Sequence, residues 1–226
     1  MKNDRTFLAH AVPFAVFIGF LALVQLVGML GEFSGIPWLA DPKYWIYPLQ
    51  SIVCAGALVY FWKEYQWGPV VFGAAIFGGI AALIAWVAPE AFLGYPKRTD
   101  GFNPDLFAGD PLVYWLIVIS RMLRLVVVVP LIEEIFWRGF LQRYLINEDF
   151  KSVAFGRFTP LSFFGVAIAF TFVHSGPDWP AAFLTGLIFG WVTIQTKSLF
   201  AVVLAHAVTN LGLGIYIMAT KQWGYW

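Results

Sequence analysis

Apolar runs about 20 residues long, repeated along almost the whole chain, narrow its fold more than any other feature. The first runs from about Ala9 to Leu30 behind Lys2 and Arg5. A cleaved signal core has roughly 7 to 15 apolar residues, so this run reads as a retained first span. Further spans read from about Tyr44 to Trp62, Gly68 to Ala88, Leu112 to Glu134 or beyond, Leu161 to His174, Ala181 to Thr196 and Leu199 to Met218. A bilayer core of about 30 Å needs roughly 20 such residues per helix. The expected fold is all-α, a polytopic integral membrane bundle of seven to eight transmembrane helices, forming one integral membrane domain over 1–226.

Composition excludes the alternatives. The chain is 60% hydrophobic and 12% charged, where a soluble domain carries about 25% charged residues. Fourteen Lys and Arg balance thirteen Asp and Glu, so nothing electrostatic favours nucleic acid as a partner. The lone Cys54 excludes an internal disulfide and any multi-cysteine metal site. Gly and Ala inside spans, as at Gly73 to Ala75 and Gly78–Gly79, suit close helix packing. Turn residues break the spans at Gly35 to Pro42, Pro89 to Pro111 and Ser175 to Pro180.

Basic residues set an expected orientation. With the N-terminus inside, the cytoplasmic side carries Lys2, Arg5, Lys63, Arg138, Arg143, Lys151, Arg157 and Lys197. The outer side carries only Lys43, Lys97, Arg98 and Lys221, so the bias favours a cytoplasmic N-terminus. An eighth span would reverse everything after it.

Ionisable residues inside spans are costly and therefore informative. In Glu133-Glu134-Ile-Phe-Trp-Arg138, Glu134 and Arg138 stand four apart and can pair along one face. Glu133, rotated by about 100°, is left for another partner. Beside a histidine, an unneutralised carboxylate suits general-base chemistry. His206 and Asn210, and Phe170 and His174, repeat the four-residue spacing on two other helices. Counted from the presumed cytoplasmic ends at 1.5 Å per residue, Glu133 lies roughly 20 Å deep, His174 roughly 21 Å and Asn210 roughly 16 Å. His206, at roughly 10 Å, needs a tilted or re-entrant helix to come level. Arg121 and Arg124 read mainly as snorkelling side chains at the outer interface, with a substrate contact as the alternative. Asp178 and Ser175 read as turn formers.

These motifs, in this order, resemble those of the CAAX prenyl protease family of the Ras-converting type and its bacterial relatives, also called the CPBP or Abi family. The resemblance covers roughly 112–218. It implies that Glu133 and His174 activate a water against a peptide carbonyl. It further implies that His206 and Asn210 hold the oxyanion, and that Glu134 and Arg138 support Glu133. No cofactor is then required. Membrane lipids and a membrane protein or lipidated peptide substrate are the implied partners, and the implied location is a bacterial inner membrane. The run from Trp137 to Leu141 is similar to a bacterial subgroup associated with exosortase systems, which implies a protein-sorting partner enzyme.

Other chemistries have their own signatures. His-Glu-x-x-His is absent, although Glu133, His174 and His206 with water would make a zinc ligand set. The serine motif Gly-x-Ser-Gly and the aspartyl motif Gly-x-Gly-Asp are missing. A transporter or non-catalytic binding protein would use Glu133, Arg138 and His174 as a relay, but no inverted repeat is visible.

Overall fold

The computed structural model describes residues 5–95 and 101–226, apart from the side chain at position 37, and every regular element among them is helical. The sequence expectations that rest on Lys2, Pro96, Lys97 and Arg98 lie outside the described residues. In a bilayer core only structures that satisfy their own backbone survive, and apolar runs this long do so as helices. The helices are α1 (Arg5–Ser34), the short α2 (Pro37–Ala40), α3 (Lys43–Tyr60), α4 (Phe72–Leu93), α5 (Pro111–Tyr144), α6 (Pro160–Phe172), α7 (Trp179–Thr196) and α8 (Leu199–Thr220).

Each predicted span has its helix, but among the described residues four helices, α1, α4, α5 and α8, are long and apolar enough to cross a membrane by length and composition. At 13 residues, about 20 Å, α6 is too short to cross alone. Its start is set by Pro160 behind a Thr159–Ser162 capping box, and it ends partway through the bundle. That short helix decides the depth of His174. Two boundaries differ from expectation at α4. Gly68 has φ 72 and cannot open a helix, so α4 starts at Phe72; Pro89 is tolerated inside it, and Gly94 ends it with φ 67.

Small residues set the helix spacing around the site. A methyl group placed on Gly79 of α4 would lie 2.6 Å from the Ala205 carbonyl of α8. This close approach lets the Thr209 hydroxyl of α8 donate to the Gly79 carbonyl at 2.9 Å. Glycine is required there by contact rather than by conformation.

The bundle has two distinct ends. At one, Arg5 pairs with Glu64 at 3.0 Å, the Tyr65 hydroxyl donates to the Ala9 carbonyl, and the Phe200 amide bonds the Trp67 carbonyl. Arg143 donates to the Val153 carbonyl at the same end. At the other, Lys221 pairs with Asp105 at 2.9 Å, Tyr44 donates to the Asn103 carbonyl, and the Phe102 amide reaches Trp226. Described basic residues at helix ends or between helices concentrate at the first end, in Arg5, Lys63, Arg143, Lys151, Arg157 and Lys197. The second has Lys43 and Lys221.

Candidate active site

The site is built on α5, which is not a regular α-helix. Wider π-turns occupy Arg124–Val128 and Ile135–Leu141, with Val129–Glu134 as a short α segment between them. The Val129 amide bonds the Arg124 carbonyl five residues back. In that register the next donor is residue 130, a proline without an N–H, so the Leu125 carbonyl loses its helical partner. The side-chain amide of Asn210 replaces it, donating from Nδ2 at 2.8 Å. An irregular helix with an intruding proline thus ties α5 to α8 at one atom.

Glu134 and Arg138 form the buried ion pair that their spacing predicts. Arg138 Nη1 lies 2.9 Å from one Glu134 oxygen and 3.1 Å from the other, with both side chains fully buried. Arg138 Nη2 donates to the Gly186 carbonyl of α7 at 3.2 Å, and the guanidinium lies between the rings of Phe170 and Phe189. His206 Nδ1 meets Glu134 Oε1 at 2.9 Å. One carboxylate therefore joins α5 to α8 directly and to α7 through arginine.

Glu133, next to it, is turned elsewhere. Its carboxylate makes no hydrogen bond to any described residue and lines a cavity of about 280 Å³. His174, His206 and Asn210 line the same cavity. The His174 ring is fixed from α6: its Nδ1 lies 2.7 Å from the Phe170 carbonyl. A carbonyl only accepts, so Nδ1 carries a proton, and in the neutral ring Nε2 has the lone pair. Trp86 packs on the same ring, and the Trp179 indole donates to the His174 carbonyl.

All six motif residues are thus brought together, in two tiers. Glu133, His174, His206 and Asn210 face the cavity, while Glu134 and Arg138 are fully buried beside it. His206 and Asn210 do not share an acceptor: one bonds Glu134 and the other Leu125. His206 reaches Glu134 from a continuous α8, so no re-entrant helix brings it to the site.

The expectation for Arg121 and Arg124 is corrected. They are 8% and 6% exposed and line the cavity instead of reaching out to an interface. The aromatic rings of Tyr47, Phe102 and Phe17 receive them, with Arg124 4.3 Å from the Tyr47 ring centre. Sequence reasoning also missed Gln50, whose Oε1 accepts from Arg124 Nε at 2.9 Å. An amide within an apolar run was the available signal. Thr185, 1% exposed, lines the cavity with a hydroxyl that has no partner among the described residues. Among the described residues no three His, Cys, Asp or Glu side chains are grouped to hold a metal ion.

Residues 114–212 match the family model described as type II CAAX prenyl endopeptidase, Rce1-like. The match supports the family resemblance of the three motifs, all of which it contains. No curated protein and no solved structure matches the chain.

Proposed function

We propose that the protein is an intramembrane endopeptidase that hydrolyses a peptide bond of a membrane-associated or lipidated substrate. The observation that carries this reading is one cavity in which an unbonded carboxylate, Glu133, faces a histidine of fixed tautomer and two further polar groups. Glu133 accepts a proton from a water whose other hydrogen points to His174 Nε2, and the water oxygen attacks the substrate carbonyl carbon. The oxyanion accepts from the second N–H of Asn210, and from His206 through Nε2–H when that ring is protonated on both nitrogens, its Nδ1–H being held by Glu134. Collapse breaks the C–N bond, and the proton held by Glu133 passes to the departing amine, leaving a carboxylic acid and an amine. Glu134 and Arg138 position the machinery without touching substrate. No cofactor takes part in this scheme.

The same reading sets the enzyme in a bacterial inner membrane with its basic end cytoplasmic, which opens the cavity on the opposite face. A protein-sorting enzyme is the proposed partner.

Comparison of membrane-protein termini in cells expressing the wild-type chain or Glu133→Gln at equal levels tests the reading. Fragments that vanish in the variant are expected, and they identify the substrate and the side of cleavage. Matching profiles at equal levels of folded protein overturn it.

A further inference from the structure

Thr185 of α7 carries a hydroxyl that the fold leaves for the cavity. Thr171, Thr193, Thr196, Thr209 and Thr220 are the other described threonines beyond the first turn of a helix. Each places its hydroxyl 2.7–3.0 Å from the carbonyl four residues back. That local bond is the usual partner of a helical threonine. Thr185 does not make it: its Oγ1 is buried and has no partner among the described residues, and the side chain lines the cavity. The backbone beside it is fixed. The Gly186 carbonyl accepts from Arg138 Nη2 at 3.2 Å, and a methyl group placed on Gly186 would lie 3.0 Å from the Ala167 Cα of α6. One turn further along α7, Phe189 packs on the His206 ring with centroids 5.0 Å apart, so the face that carries Thr185 is the one turned to the catalytic groups.

A buried hydroxyl without a partner costs free energy comparable to a lost hydrogen bond. Glu133, on the same cavity, also bonds no described residue, and the two side chains do not bond each other. One water needs roughly 10–15 Å³ and two to four polar partners, and a cavity of about 280 Å³ lined by Thr185, Glu133 and His174 supplies both. A substrate group would leave the hydroxyl unpaired whenever no substrate is bound, whereas a water serves it throughout the cycle. Resting on the proteolysis proposed above, we infer that Thr185 is a further catalytic residue, whose hydroxyl donates to the water that Glu133 activates. The two hydrogens of that water point to Glu133 and to His174 Nε2. Of its two oxygen lone pairs, one accepts from Thr185 Oγ1 and the other faces the substrate carbonyl carbon. As the new C–O bond forms, one water proton passes to Glu133, and Thr185 keeps its own proton and steadies the charge gathering on the oxygen.

The test uses the full chain in two arms. In phosphatidylcholine nanodiscs, the probe is a quenched-fluorescent decapeptide chosen from a random library because the wild type cuts it. Thr185→Val, which keeps the shape and removes the hydroxyl, is expected to lower kcat about ten-fold or more with KM within about two-fold of wild type. Thr185→Ser restores the hydroxyl and is expected to keep kcat within about three-fold of wild type. In the second arm, crystals grown from a lipid mesophase, at a resolution that shows ordered water, are expected to place a water within hydrogen-bond distance of both Thr185 Oγ1 and Glu133, and the Thr185→Val crystals to lack it. If Thr185→Val cuts with wild-type kcat, or if Val and Ser lose equally, proteolysis stands and the inference falls. A rise in KM with kcat unchanged assigns the hydroxyl to the substrate and overturns it. Wild-type crystals without that water overturn it whatever the rates. If no peptide in the library is cut while the Thr185-dependent water is present, the water site stands and proteolysis falls.

Discussion

Glu133 and Glu134 are adjacent and chemically identical, yet their surroundings give them different work. Glu134 is fully buried, facing Arg138 and His206, whereas Glu133 faces the cavity. Replacing Glu134 by Gln leaves the Arg138 guanidinium buried without its counter-charge, which typically costs about 3–5 kcal/mol. The expected result is a marked fall in thermal stability in detergent, with activity lost alongside it. Arg138→Met added to Glu134→Gln should recover most of that stability by removing the orphaned charge, and leave activity low because His206 has lost its anchor. Glu133→Gln, by contrast, is expected to melt within about 1 kcal/mol of wild type while losing proteolysis. Equal destabilisation by the two single variants contradicts this division.

At the scale of elements, the irregularity of α5 and the tight crossing of α4 with α8 position the catalytic groups. Pro130→Ala restores an N–H that can take the Leu125 carbonyl and compete with Asn210. Activity should fall by about ten-fold or more, short of the roughly 10²–10³ that follows outright loss of an oxyanion donor. Stability should change little, since one hydrogen bond replaces another. Unchanged activity in steady-state assays argues against a role for this contact. Gly79→Leu forces a side chain into the Ala205 and Val208 contact and should cost about 1–3 kcal/mol, read as a lower melting temperature. Because α8 carries both His206 and Asn210, activity should fall further than stability predicts. These elements were unevenly legible beforehand. The apolar runs announced where helices lie, whereas Pro130, a proline within a span, was a signal that the sequence analysis did not use. The π register was not, because it depends on which carbonyl the tertiary partner Asn210 can reach.

For the whole molecule, the two ends differ in charge and in access to the site. The basic end holds Arg5, Lys63 and Lys197, and the cavity is lined at the other end by Ser175, Asp178 and Trp226. If the basic end is cytoplasmic, a membrane-impermeant maleimide added to intact cells should label Ser175→Cys in a Cys54→Ser background. Lys63→Cys should be labelled only after permeabilisation. The reverse pattern turns the site towards the cytoplasm. The apolar runs, the scarcity of charge and the four-residue spacings of Glu134 with Arg138 and His206 with Asn210 were determined by sequence alone, because helix periodicity and burial in lipid are local properties. The sequence also singled out Glu133 and His174 as polar groups that a bilayer would not tolerate without purpose. Only the tertiary structure decided that His206 bonds Glu134 while Asn210 bonds Leu125, and that His174 is held by the Phe170 carbonyl with Trp86 packed on its ring. It alone turned Arg121 and Arg124 inward against Tyr47, Phe102 and Phe17. Each of these depends on how far neighbouring helices are shifted along their axes, and that shift is set by small-residue contacts between segments distant in sequence.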